Sequence, residues 1–127
     1  MKIEHAAVYV RDLEGARAFF QTYFGAVSGP LYQNPTTGFS SYFLTFEEGS
    51  RLELMTLPRL EMGEGAGPRT GYAHLAPSVG SREAVDQLTG RLRQAGYPVL
   101  SGPRTTGDGY YESCIAGAEG LRIEITI

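Results

Sequence analysis

The last seven residues of the chain, LRIEITI (121–127), alternate strictly between apolar and polar side chains. Successive side chains of a strand point to opposite faces, so this stretch has one apolar and one polar face. The apolar face carries Leu121, Ile123, Ile125 and Ile127, and the polar face carries Arg122, Glu124 and Thr126. The pattern predicts a strand with one face in a protein core and the other, centred on Glu124, facing a polar cavity.

An earlier stretch, RLELMT (51–56), repeats this arrangement with Glu53 at its centre. A glutamate in mid-strand usually lies on a solvated face or at an edge. On a dry face its carboxylate is costly to bury unless it is paired or holds a metal ion. Glu53 and Glu124 are therefore the first candidates for functional residues.

Two other stretches have apolar residues at spacings of three and four, which is typical of a helix with one buried face. The first is predicted to begin after the N-cap Asp12 and to end at Gly25. The second is predicted to begin after Ser81 and to end at Gly96. The predicted apolar positions are Leu13, Ala16, Phe19, Phe20, Tyr23 and Phe24 in the first helix, and Val85, Leu88, Leu92 and Ala95 in the second.

Strands are predicted on both sides of each helix. In the first half they cover residues 2–10, a short stretch near Leu31 and Tyr32, residues 41–46 and residues 51–56. In the second half they cover residues 71–79, a stretch around 97–100 that leads into the Gly-rich SGPRTTGDG, residues 110–116 and residues 121–127. The turns EEGS and GAEG predict a hairpin at the end of each half.

The second half of the chain repeats the first. Its histidines, His5 and His74, stand 69 residues apart (74 − 5). The glutamates at the strand centres, Glu53 and Glu124, stand 71 apart (124 − 53), as do the two glycines that end the helices. Two copies of one βαβββ unit explain these spacings.

The repeat predicts an α+β fold made of two tandem βαβββ modules that form a curved mixed sheet. Module 1 covers residues 1–57, a Gly- and Pro-rich linker covers 58–70, and module 2 covers 71–127. A chain of 127 residues is of the usual size for one domain with its own core, so the two modules are expected to form a single domain.

Composition and charge exclude several function classes. The net charge is −3 and no lysine or arginine cluster occurs, so a nucleic acid partner is not expected. No apolar run approaches the roughly 20 residues of a membrane helix, so no membrane partner is expected.

The sequence also bears on the compartment of the protein. Glu4 and His5 stand where a signal peptide would need its apolar region. A single cysteine, Cys114, excludes an intrachain disulfide, and the chain is expected in the cytoplasm.

Each half offers a histidine in its first strand and a glutamate in its last. A lone histidine in a strand is usually structural, but the recurrence of the pair in both halves favours a shared site. Two imidazoles and two carboxylates suit one divalent ion of Zn, Ni, Fe, Mn or Co. Such an ion acidifies water or polarises a carbonyl, and a carboxylate ligand that leaves it can act as a general base.

The chain resembles the vicinal oxygen chelate superfamily, which includes glyoxalase I, extradiol dioxygenases, fosfomycin-resistance proteins, methylmalonyl-CoA epimerase and bleomycin-resistance proteins. The resemblance covers essentially the whole chain and is most specific in IEHAAVYVRDLEGARAFFQTYFGA, GYAHLAPSV and GLRIEIT. It implies one metal ion per site in the concave face of the sheet. The implied ligands are His5, Glu53, His74 and Glu124.

This full ligand set is similar to bacterial glyoxalase I, because the dioxygenases and fosfomycin-type transferases keep only two histidines and one glutamate. The resemblance implies a lyase that isomerises a small carbonyl substrate or the hemithioacetal of methylglyoxal and a thiol. The reaction would proceed by proton transfer through a metal-bound enediolate, with Glu124 and Glu53 as the catalytic residues. It also implies a homodimer, with the metal site within one chain or shared across the subunit interface.

Two positions depart from glyoxalase I. Its arginine four residues after the first histidine is replaced by Tyr9, and its asparagine after the second ligand falls where this chain has Thr56, Leu57 and Pro58. A glutathione site is therefore not recognisable, and Tyr9 and Arg122 are the candidate substrate-binding residues. The alternatives are an extradiol dioxygenase, a thiol transferase, or a metal-free binding protein similar to the bleomycin-resistance proteins.

Overall fold

Eight strands and two α-helices occur in the part of the chain that the structure, a computed structural model, describes: residues 4–60, 74–107 and 109–127. In chain order they are β1 (His5–Tyr9), α1 (Leu13–Phe24), β2 (Val27–Ser28), β3 (Tyr32–Gln33), β4 (Ser40–Thr45), β5 (Arg51–Thr56), α2 (Arg82–Gln94), β6 (Val99–Thr105), β7 (Tyr111–Ala116) and β8 (Arg122–Thr126). The chain divides into two compact units, Met1–Gly65 and Ala66–Ile127. The predicted α+β class is confirmed. Within the described ranges, neither helix has the length and apolar character needed to cross a membrane.

The sheet of the first unit has the order β1-β5-β4-β2, and β3 also pairs with β4. β1 runs parallel to β5, whereas the other pairs are antiparallel, and the predicted hairpin across EEGS is present. The prediction of one short strand near Leu31 and Tyr32 was incomplete, because two short strands, β2 and β3, lie against β4. Pro30 lies between them and has no N–H to continue a ladder.

Helix α1 begins and ends as its sequence predicts. The Asp12 carboxylate accepts a hydrogen bond from the Gly15 N–H at 2.8 Å, and Gly25 adopts the left-handed conformation at φ 65°. Of the six predicted apolar positions, Leu13, Ala16, Phe19 and Phe20 are buried. Tyr23 and Phe24 are half-buried at the last turn, where their rings contact Phe19.

The sheet of the second unit has the antiparallel order β6-β7-β8. Of the predicted strand 71–79, residues 71–73 lie outside the described residues. The part from residue 74 onward is not a continuous strand, but forms two isolated parallel bridges with β8, Leu75 to Ile123 and Ser78 to Thr126. Pro77 interrupts the ladder between the bridges because it has no N–H to donate.

Strand β6 is longer than predicted. The expected strand around 97–100 begins instead at Val99 and continues to Thr105, into the Gly-rich stretch SGPRTTGDG that was expected to follow it. The pairing of β6 with β7 shifts its register twice along this longer strand. At Gly102, with φ 75°, an added Cβ would lie 2.5 Å from the Glu112 carbonyl oxygen, so only glycine fits. Glycine marks a close backbone approach within the strand here, not its end.

Helix α2 starts at the predicted N-cap, where the Ser81 hydroxyl accepts a hydrogen bond from the Ala84 N–H at 3.1 Å. Its buried face differs from the prediction at one position. Ala95 is exposed because it is the C-cap, and the buried position in its place is Thr89. The Thr89 hydroxyl is satisfied by the Val85 carbonyl and the Ser113 hydroxyl, each at 2.6 Å.

Thr89→Val is expected to lower the free energy of unfolding by about 1–3 kcal/mol, because it leaves the fully buried Ser113 hydroxyl without this partner. The double change Thr89→Val with Ser113→Ala should recover most of that loss, since both polar groups are then removed together. Urea unfolding of the parent protein, Thr89→Val, Ser113→Ala and the double variant measures the effect. A double variant as unstable as the sum of its single changes would contradict it.

Candidate metal site

In the first unit, the pairing of β1 with β5 brings His5 and Glu53 to one face of the sheet. The parallel register places His5 opposite Arg51 and Ala7 opposite Glu53. His5 and Ala7 share a face, so the His5 and Glu53 side chains are diagonal neighbours on it. His5 Nε2 and Glu53 Oε2 are 4.0 Å apart, and 15 % of the Glu53 side chain is exposed. The structure thus brings together the two candidate ligands predicted for the first half.

Glu4 and Phe43 contact the His5 ring, and Arg51 contacts both of them. Its Nδ1 lies 2.7 Å from Glu4 Oε2, and Glu4 Oε1 accepts from Arg51 Nε at 2.6 Å. The Arg51 guanidinium lies 4.2 Å above the Phe43 ring, and the His5 ring meets Phe43 edge-on at 5.3 Å. The hydrogen bond from Arg51, followed by that from His5, lowers the pKa of Glu4 to about 2.

In the second unit, His74 and Glu124 form the corresponding pair. The bridge between Leu75 and Ile123 places His74 beside the start of β8, and His74 Nε2 lies 3.1 Å from Glu124 Oε2. The Glu124 side chain is 24 % exposed. The second predicted pair is therefore also formed within its own unit.

Strand β8 has the predicted alternation at its centre. Ile123 and Ile125 are fully buried, while Arg122 on the other face is exposed and Glu124 is half-buried. At the ends the prediction was wrong, because Leu121 is only half-buried and Ile127 is exposed. Both residues lie beyond the ends of the strand, which spans Arg122–Thr126.

The two candidate substrate-binding residues are accessible. Tyr9 is 49 % exposed on the same face of β1 as His5. Arg122 is exposed on the Glu124 face of β8, and its side chain has no hydrogen bond or ion pair with any residue in the described ranges. Arg51 differs, since Glu4 and Phe43 engage its guanidinium.

Cys114 lies opposite Glu124 in the pairing of β7 with β8 and is buried. Burial raises the pKa of the Cys114 thiol above its ordinary value. The thiol is therefore neutral at pH 7, and a neutral thiol is a poor nucleophile and a poor metal ligand. A role in packing, without chemistry at the thiol, fits Cys114.

The donors of each pair fit a divalent metal ion. Bonds of about 2.0–2.2 Å from a metal to nitrogen or oxygen place two donors of one ion about 3–4 Å apart. The observed separations of 4.0 Å and 3.1 Å lie in this range. Among the described residues, no group of three or more His, Cys, Asp or Glu side chains has the spacing of a metal site. The structure thus supplies two donor pairs, and the four-ligand site remains a prediction.

The contact between Glu4 and His5 was not predicted. Glu4 directly precedes His5, and neighbouring residues of a strand are expected on opposite faces. Glu4 lies just before β1, however, where that alternation no longer applies. Its partner Arg51 is distant in sequence, so no spacing pattern could have connected the three residues.

The sequence matches the family model of the Glyoxalase/Bleomycin resistance protein/Dioxygenase superfamily over residues 2–125. A relative in Bacillus subtilis (strain 168), the uncharacterized protein YqjT, is 29 % identical and matches over 97 % of this chain and 96 % of its own.

Solved structures show the same fold. A glyoxalase family protein from Bacillus cereus superimposes with a TM-score of 0.84 at 18 % identity, covering 99 % of this chain and 93 % of the other. The trypanothione-dependent glyoxalase I of Leishmania major gives a TM-score of 0.79 at 19 % identity, covering 99 % and 86 %. Because the family match spans nearly the whole sequence, the chain belongs to the glyoxalase, bleomycin resistance protein and dioxygenase superfamily.

Proposed function

We propose that this protein is a divalent-metal-dependent lyase of the glyoxalase I type that isomerises a small carbonyl or hemithioacetal substrate. The observation that carries the proposal is the pair of histidine and glutamate donors in each unit, at 4.0 Å and 3.1 Å. His5, Glu53, His74 and Glu124 would hold the ion, which is Ni, Zn, Fe, Mn or Co by the chemistry of this donor set.

When bound, the ion supplies Lewis acidity that makes a C–H next to a carbonyl more acidic. Glu124 is the proposed base, because its carboxylate is shielded yet accessible and has no partner other than His74 in the described ranges. It takes the proton from one carbon and returns it to the neighbouring carbon, so no proton is gained or lost overall. Glu53 occupies the equivalent position in the first unit and is the second candidate for this role.

Arg122 is the proposed anchor for an anionic group of the substrate, since its exposed guanidinium is free of ion pairs within the described residues. Tyr9 is proposed to contact the substrate from the His5 face. The Leishmania major enzyme is trypanothione-dependent. Different thiols therefore have to be compared in any assay of this protein, in which a glutathione site is not recognisable from the sequence.

A homodimer in the cytoplasm is the proposed form of the enzyme. Each unit holds only one donor pair, so a four-ligand site requires two units to meet, in one chain or across two chains. Mixing His5→Ala with His74→Ala separates these cases. A site shared between subunits restores part of the activity, because one of the two sites in the mixed dimer has all its ligands. A site within one chain restores none.

Metal uptake and turnover test the proposed function together. The purified protein is expected to bind one divalent ion per site and to isomerise hemithioacetals of methylglyoxal with at least one thiol from a panel that includes glutathione. We expect metal analysis and titration with each candidate ion to measure the binding, and a spectrophotometric assay to measure the isomerisation. Glu48→Gln, at an exposed turn, is a control that should change nothing. Failure to bind any divalent ion would refute the proposal.

A three-ligand enzyme, either an extradiol dioxygenase or a thiol transferase, is the second candidate. The observation that favours it is the wider separation in the first unit, 4.0 Å against 3.1 Å, which sets Glu53 apart from its histidine. Unchanged metal affinity in Glu53→Gln, with no hemithioacetal turnover in the parent protein, would support this class over the lyase.

A further inference from the structure

We infer that Glu4 is a positioning residue that holds His5 in the tautomer with a proton on Nδ1 and a free lone pair on Nε2. The His5 ring of the first unit could then bind a metal ion through Nε2 without a change of tautomer, whereas the His74 ring of the second unit could not. The tautomer follows from contacts in the structure. Its consequence for metal binding rests on the proposed function.

The tautomer follows from the acceptor chemistry of Glu4. An ionised carboxylate can only accept hydrogen bonds, so His5 Nδ1, at 2.7 Å from Glu4 Oε2, must carry the proton. In a neutral imidazole the other nitrogen then carries the lone pair. His5 Nε2 is 4.0 Å from Glu53 Oε2, beyond hydrogen-bond distance. Its lone pair is thus directed to the place where the proposed ion would be held.

Glu4 is itself fixed in place. Its second carboxylate oxygen accepts from Arg51 Nε at 2.6 Å, and its backbone carbonyl accepts from the Arg51 N–H at 2.9 Å. Arg51 and His5 are paired residues of β5 and β1, and both side chains pack on Phe43. An isolated ion pair at an exposed position contributes little to stability, but these combined contacts restrict the direction of the carboxylate. Histidine ligands of metals commonly donate their second nitrogen to such a carboxylate.

Among the described residues, the second unit shows no such arrangement around His74. The residue before His74 is Ala73, which has no acceptor side chain. His74 Nδ1 has no partner within the described ranges, whereas Nε2 lies 3.1 Å from the Glu124 carboxylate. Because that carboxylate also accepts, the proton of His74 belongs on Nε2. To bind a metal ion through Nε2, the neutral His74 ring would first have to move its proton from Nε2 to Nδ1, whereas the His5 ring would need no such change.

Nitrogen NMR of the two imidazole rings tests the inference on metal-free protein, at a pH where both rings are neutral. The chain has only two histidines, so His74 serves as an internal reference. The expected result is a proton on Nδ1 of His5 and on Nε2 of His74. Glu4→Ala should move His5 towards the Nε2-protonated form and leave His74 unchanged, while Glu48→Ala should change neither. A His5 ring with the same tautomer in the parent protein and Glu4→Ala would overturn the inference.

Metal titration of the same variants tests the consequence. Glu4→Ala should weaken divalent ion binding by about 10–100-fold, the usual loss for a partner of a metal-ligating histidine. Glu4→Gln, which keeps an acceptor oxygen, should recover part of this loss. Unchanged affinity in Glu4→Ala would overturn the positioning role. Failure of the parent protein to bind any ion would refute the proposed function instead, and the NMR result would still decide the tautomer.

Discussion

Glu124→Gln is expected to reduce hemithioacetal isomerisation by about 10²–10⁴-fold, the usual contribution of a positioned general base. Glutamine has almost the same shape as glutamate but cannot take up a proton. The same change should weaken divalent metal binding by at least about 100-fold, because a ligand contributes more than its supporting partners do. Stopped-flow or steady-state assays with a saturating metal concentration separate the two effects.

Glu53→Gln is the matched comparison, because Glu53 occupies the same place in the first unit, at a greater distance from its histidine. Activity lost in Glu124→Gln but kept in Glu53→Gln assigns the proton transfer to Glu124 alone. The reverse result would transfer the role to Glu53. Full activity in both variants at saturating metal would refute a carboxylate base at this site.

Ile125→Ala should lower the free energy of unfolding by about 2–5 kcal/mol, the range for removing a large aliphatic side chain from a core. Ile125 is fully buried on the apolar face of β8 and directly follows the candidate ligand Glu124. Domains of this size are stable by only about 5–15 kcal/mol, so this one change removes a large part of the total. Equilibrium unfolding in urea measures the loss.

Ile127→Ala is the control for this prediction, because it changes the same residue type two positions further on. Ile127 is 45 % exposed, and its truncation should change stability by no more than about 0.5 kcal/mol. Ile125→Val, which removes one methylene group, should cost about 0.5–1.5 kcal/mol. Equal effects at positions 125 and 127 would contradict the burial pattern of this strand.

The features that the sequence predicts well are those determined by neighbouring residues. The first turn of a helix needs a hydrogen-bond acceptor for its free N–H groups, and Asp12 and Ser81 provide one. The C-terminus of a helix often needs a residue in the left-handed conformation, and Gly25 adopts it. The alternation of buried and accessible side chains at the centre of β8 is also predicted from adjacent residues, because successive side chains of a strand point to opposite faces. Periodicity and capping depend on residues close in sequence, so they can be recognised without knowledge of the rest of the fold.

The features that the sequence does not predict depend on distant partners. Thr89 is buried in α2, where its hydroxyl is hydrogen-bonded to Ser113 of β7, and a polar residue gives no sign of such a partner in a helical pattern. Gly102 was not included in the predicted strand around 97–100, yet it lies inside β6, where the β7 backbone comes close. In each case the deciding contact lies in another element of the fold.

In the candidate site, too, some features could be predicted from the sequence and others depend on distant partners. The recurrence of a histidine and a strand glutamate in both halves, at similar spacings, together with the family resemblance, predicted His5 with Glu53 and His74 with Glu124 as candidate ligands. In the structure the members of each pair lie close to each other. The role of Glu4 could not be predicted, because it depends on an arginine from another strand. The meeting of the two pairs remains a prediction, since no local pattern encodes it.

The contrast between Arg51 and Arg122 has an evolutionary consequence. Both arginines stand two residues before the strand glutamate of their unit, yet only Arg51 is bound to an acidic side chain in the described structure. Selection for a new ligand can therefore act on the surroundings of Arg122 without disturbing the contacts around His5. A fold with two compact units can keep one of them constant while the other diversifies.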